Sequence, residues 1–162
     1  MNRRHLLALL AAALLTLPRR GHAAYQEPTG PQPELPKEKL VIVTHDGVHH
    51  DFDVEMAMTD EQQMTGLMFR EHIPPDGGML FDWGAPRHSE MWMKNTVSSL
   101  DMLFIGAHGT VRHIAEHTVP QSLAVIDGGM ARATLELAAG TAERLDIRVG
   151  DKVLARLFGT AP

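Results

Sequence analysis

Glu90–Ile105, EMWMKNTVSSLDMLFI, is the stretch on which the reading of the fold turns. Two apolar, strand-like runs flank a compact polar knot, Lys94-Asn95-Thr96, with Ser98, Ser99 and Asp101 close behind. Runs of this kind cross a core. The knot falls at their junction, where connecting segments carry function.

Outward from that stretch the chain repeats one theme, short strands punctuated by turns. Leu40-Val41-Ile42-Val43 is an apolar strand, and Asp46-Gly47 is a hairpin signal. From His50 to Met58 the pattern alternates, with Phe52, Val54, Met56 and Met58 on one face and Asp51, Asp53 and Glu55 on the other. Thr59-x-x-Gln62 is a capping box with Asp60 and Glu61 in the first turn, and Met64, Leu67 and Met68 carry the helix to Phe69. Pro74–Gly78 turns the chain into a strand, Met79–Phe81, which Gly84-Ala85-Pro86 ends. Further strands are expected at Ser89–Met93, Ser99–Ile105 and Thr110–His117, then a loop over Pro120–Gly129 and an alternating strand over Ala131–Leu137. Thr141 caps a short helix, Ala142–Leu145, and Lys152–Phe158 closes the chain. About eight strands joined by turns, with two short helices, predict a mainly antiparallel, strand-rich α+β single domain. Closure of the strands into a barrel is compatible with this pattern.

The start of the chain reads differently. Arg3-Arg4 precedes the apolar run Leu6–Leu17, Pro18 breaks it, and Gly21-His22-Ala23 offers a cleavage site, so residues 1–23 are expected to be an export signal. Twelve residues are too few for a membrane span, which needs about 20. The basic pairs loosely resemble a twin-arginine signal, but the leucine-rich core favours the general secretory route. Residues 24–38 hold four prolines and few apolar side chains, an extended or disordered linker before a domain over residues 39–162. The expected location is periplasmic or secreted, with no membrane span after cleavage.

Charge narrows the partners. Four of the 15 basic residues leave with the signal while all 20 acids stay, so 11 against 20 leaves −9 with neutral histidines. Nucleic-acid binding needs a basic stripe to displace counterions, and this chain has none. It also has no cysteine, which removes disulfides, thiolate metal sites and a thiol nucleophile.

Gly66-Leu67-Met68-Phe69-Arg70, Gly78-Met79-Leu80-Phe81, Trp92-Met93-Lys94-Asn95-Thr96 with Leu100-Asp101, and Leu135-Glu136-Leu137 with Ala139-Gly140 follow one another in order. This succession resembles the family called domain of unknown function 192, over about Val43–Val153. The resemblance implies a small, strand-rich α+β domain, often behind a signal peptide, and it implies no reaction and no catalytic residue. Met91 stands where the family pattern leads one to expect an aromatic or other bulky residue.

The sharpest candidate ligand site is Lys94, Asn95, Thr96 and Asp101, joined by Arg70: an ammonium, a carboxamide and a carboxylate at one strand junction suit an anionic or hydroxyl-rich ligand. The same residues have a structural account. Asn95 takes a tight-turn conformation, Thr96 and Ser98 bond to backbone, Lys94 pairs with Asp101, and Arg70 caps the first helix. Met91-x-Met93 beside His88 raises Cu(I) ligation. On a strand, however, His88 faces away from both thioethers, and methionine fills cores well. His113 and His117, on a strand, stand roughly 13 Å apart, too far for one metal. His45, His49 and His50 crowd the first hairpin, where a solvated turn accounts for them better than a surface Zn²⁺ site. No G-x-S-x-G elbow and no H-E-x-x-H helix is present. The functional expectation is a non-enzymatic exported binding module for a small polar ligand or an envelope partner. The alternative is a cell-envelope hydrolase using Glu90, Asp101 or Glu116, and a Cu(I) or Zn²⁺ carrier ranks third. The sequence names no cofactor and does not decide whether the protein is an enzyme.

Overall fold

A computed structural model describes residues 26–160. The expected export signal lies outside the described residues. The chain forms β1 (Lys37–Val43), β2 (His49–Ala57), α1 (Asp60–Thr65), β3 (Gly77–Met91), β4 (Leu100–Ile105), β5 (Val111–Ala115), β6 (Ile126–Ala138), α2 (Thr141–Arg144) and β7 (Lys152–Leu154), then a 3-10 turn, Arg156–Phe158. All seven strands join one sheet in the order β5-β4-β6-β3-β2-β1-β7. Five of its six pairings are antiparallel. β2 and β3 are parallel because α1 carries the chain across between them.

The sheet curls into a half-barrel whose edges meet at one end. Val111 N–H donates to Asp151 O (2.9 Å) and Val153 N–H to Gly109 O (2.7 Å), with Thr110 opposite Lys152. Gly109 makes the approach feasible: its φ is +70°, and a Cβ there would stand 2.3 Å from Val153 O. With helices this short, α+β fits loosely; a strand-rich mixed sheet is the better description.

Hydrophobic burial on both faces explains the curl. One face gathers Leu40, Ile42, Phe52, Val54, Leu103, Ile105, Leu135 and Leu137, with α2 contributing Ala142. The other gathers Met79, Phe81, Met93, Leu100, Met102 and Phe104, under Leu67 and Ile73. Each of the six residues of β4 is buried, Asp101 included, so this strand has no solvent face.

Several expectations hold and several move. The Asp46-Gly47 hairpin joins β1 to β2, and the Thr59/Gln62 capping box is reciprocal. The first helix stops at Thr65 rather than Phe69. Gly66 caps it against the Phe81 ring, and the chain turns so that Leu67 and Met68 enter the core. The strands expected at Met79–Phe81 and Ser89–Met93 are one, β3. Gly84-Ala85-Pro86 falls in a bulge between Asp82 and Arg87, where a proline forfeits no ladder bond. The loop expected to Gly129 ends earlier, with Ile126 and Asp127 pairing Met91 and Glu90. The closing strand stops at Leu154 rather than Phe158. Gly140, not Thr141, takes the cap position of α2, with φ +80°.

The proline-rich stretch meets the sheet from Gln32 onward. Gln32 Nε2 donates to Gln62 O and Gly66 O (3.1 and 2.9 Å), and Leu35 N–H donates to Glu55 Oε2 (2.8 Å).

Candidate functional site

β6 alternates Ala133, Leu135 and Leu137 toward the first core with Thr134 and Glu136 toward the second face. That second face is covered incompletely. Between α1, the outer half of β3 and the turn after it lies a cavity of about 210 Å³, and Glu136 lines it. Phe81, Trp83, Met91, Trp92 and Met68 form its apolar walls, and Gln63, Arg87, Glu90 and Thr96 supply polar atoms.

The walls are fixed by ordinary bonds. Trp83 tilts against Phe81 at 5.6 Å between centroids, and its Nε1–H donates to Thr134 Oγ1 (3.1 Å). Ser89 Oγ lies 3.2 Å from the same hydroxyl. Gln63 Nε2 donates to Ala57 O and Asp82 O (3.1 and 2.6 Å), which holds α1 across the opening. Arg87 lays its guanidinium over Trp83, Cζ 4.1 Å from the ring centroid. Gly78 lets β3 lie close beside β6, since a Cβ there would stand 2.2 Å from Glu136 O.

Glu136 is 4% exposed. Among the described residues no cation and no N–H faces its carboxyl, whose oxygens open on the cavity. Burial alone pushes its pKa up to about 8 from the ordinary 4.5. At neutral pH the group is mainly a neutral acid, able to donate one hydrogen bond.

The residues named from sequence go to three places. Thr96 is buried and lines the cavity. Lys94 and Asn95 form the turn beside it: Asn95 has φ +56°, its carbonyl accepts from Phe69 N–H (2.8 Å), and its Nδ2 lies 3.9 Å from the Met68 sulfur. Lys94 pairs with Glu27 rather than Asp101, and that ammonium holds the exposed Glu27 carboxyl below its usual range. Its Nζ lies 5.4 Å from the Trp92 ring. Arg70 turns away to Glu55 in a two-pronged pair (2.8 and 3.0 Å), and its carbonyl accepts from Ser98 Oγ (2.7 Å). Asp101, fully buried, accepts from His117 N–H and Ala142 N–H (both 2.9 Å).

Of the carboxylates considered for acid–base work, Glu90 lines the cavity, Asp101 is committed to those backbone donors, and Glu116 is exposed beyond β5. Met93 packs in the core, Met91 against it, and His88 pairs with Asp127 at 3.3 Å on the surface. His113 stacks on Phe104. Among the described residues no group of three His, Asp or Glu side chains is placed to hold a metal.

Glu136 was legible only as part of a family motif. The alternation Arg132, Thr134, Glu136 reads as a solvent face, whereas Thr134 and Glu136 face the second core. The available signal was its place between two leucines in a strand-forming run.

The profile of the DUF192 family, described as "Uncharacterized ACR", matches residues 41–155. A crystal structure from Sinorhizobium meliloti 1021, of a protein provisionally called a transcription regulator, is 44% identical with a TM-score of 0.76. It covers 78% of this chain and 98% of its own. A protein of unknown function from Novosphingobium aromaticivorans DSM 12444 is 34% identical with a TM-score of 0.73, covering 82% and 94%. No curated protein matches.

Proposed function

The chain belongs to the DUF192 family, and from that premise we propose that it is an exported, non-enzymatic binding module for a small polar ligand. The site is the cavity over Glu136, with Lys94, Asn95 and Thr96 at its margin. The observation that carries this reading is a buried carboxyl with no hydrogen-bond partner among the described residues, facing an aromatic-walled cavity. Burying a polar group without a hydrogen bond costs free energy, and a ligand that supplies the bond recovers it. Export rests on residues 1–23, and an N-terminus at Ala24 on the purified protein is its test. The regulator name of the S. meliloti protein finds no support in charge here, with 20 acids against 15 basic residues.

Native mass spectrometry of the protein purified from its own compartment, beside Trp83→Ala, tests the reading. A co-purifying mass lost in the variant supports it, and bare protein in both overturns it.

A hydrolase reading keeps one observation in its favour. Glu90 and Glu136 line one cavity in unlike surroundings, the arrangement that separates an acid from a base. Turnover of a co-purified ligand by the wild type, lost in Glu90→Gln, would favour it.

A further inference from the structure

We propose that the cavity takes an organic cation, an ammonium or guanidinium group carried on an apolar body. The inference rests on the binding reading above and names its ligand class.

The walls carry three carboxyls, Asp60 from α1, Glu90 from β3 and Glu136 from β6, against one guanidinium, Arg87. β4 adds no charge there, since Met102 stands opposite Glu136 in register. The aromatic faces point the same way, because a ring face attracts a cation and an apolar body packs beside it. The protein shows that preference internally. Of its two tryptophans, Trp83 carries the Arg87 guanidinium at 4.1 Å and Trp92 the Lys94 ammonium at 5.4 Å. Arg87 is exposed, so it occupies the Trp83 face as a displaceable stand-in. Among the described residues, no cation reaches Glu136.

A cation arriving at Glu136 changes its protonation. The neutral acid gives its proton to solvent and the carboxylate pairs with the ligand, so one proton leaves for each cation bound. With free Glu136 titrating at about 8, affinity rises by about tenfold per pH unit below that value and levels above it. A neutral hydroxylated ligand that accepts a hydrogen bond from the protonated acid shows the opposite trend.

The experiment is isothermal titration of the full chain with benzylguanidinium and benzyltrimethylammonium, between about pH 6 and about pH 9, where both stay charged. Benzyl alcohol and methyl glucoside serve as neutral probes. The expected result is cation binding that tightens with pH to about 8, with a buffer-dependent heat reporting one released proton. Glu136→Gln loses both the pH slope and the released proton. Arg87→Ala, a surface change, binds the cations about two- to fivefold tighter by freeing the Trp83 face. Cation binding with no pH slope, or unchanged by Glu136→Gln, overturns the proposal. Binding of the neutral probes alone overturns it and leaves the binding module standing. Failure of every probe overturns the cation class, and the binding reading falls with it only if native mass spectrometry also finds bare protein.

Discussion

Of the carboxyls buried in this sheet, two are treated in opposite ways. Asp101, on β4, is fully enclosed and bonded through both oxygens to backbone N–H groups, one at His117 and one at the first turn of α2. Glu136, on neighbouring β6, is nearly as buried, and its carboxyl has no hydrogen-bond partner among the described residues. Burial raises the Glu136 pKa to about 8, and no cation or N–H among the described residues offsets it. Burial depth therefore does not separate architecture from function here; satisfaction of the buried group does. Asp101 replaces the cap that Gly140 lacks and ties α2 to the sheet.

Removing Asp101 should have the largest effect. Asp101→Ala strands two backbone donors, and at about 1.5–3 kcal/mol for each bond to a charged group the loss is roughly 3–6 kcal/mol. Urea denaturation measures it, and a loss under about 1 kcal/mol would break the comparison. Next is a third buried acid, Glu55, satisfied by Arg70 and by Leu35 N–H. Arg70→Ala leaves the Glu55 charge with the Leu35 N–H alone, a loss of about 3 kcal/mol. It should also loosen the Gln32–Leu35 segment, read as faster proteolysis there.

Glu136→Gln should move stability the other way. Its folded pKa is raised, so the folded state holds the extra proton between about 4.5 and about 8. Wild-type stability is fully present below that window and falls through it as pH rises, by at most about 1.4 kcal/mol per pH unit. The variant lacks this slope and is the more stable protein above about pH 8. Denaturation at acid and alkaline pH checks it; parallel curves would mean that the carboxyl is satisfied after all. The smallest effect is Lys94→Ala, which removes a pair with an exposed, solvent-screened partner, Glu27, and should leave the denaturation midpoint nearly unchanged. A larger loss would place the Lys94 turn with Asp101 as architecture rather than at the cavity's margin.

What could be read from residues alone was whatever local physics controls. The Thr59/Gln62 box and the Asp46-Gly47 turn each follow from neighbours within a few positions, as does a strand over Ser99–Ile105. The site was less legible. Lys94, Asn95, Thr96 and Asp101 are close in sequence, yet Asp101 works at α2, Lys94 at Glu27, and only Thr96 reaches the cavity wall. Side chains alternate along a strand, and each face here belongs to a different core.

Local residue patterns alone establish that strands dominate, that the polar knot sits at their junction, and that thiol chemistry is absent. They also carry the family motifs. Tertiary structure alone decided that β2 and β3 run parallel and that the β5 and β7 edges meet around Gly109. It decided as well that the polar alternation of β6 turns Glu136 into a cavity instead of solvent. The reason is the same in each case: strand pairing and the covering of a second face depend on residues far apart in the chain, and no periodicity within one strand records what lies opposite it.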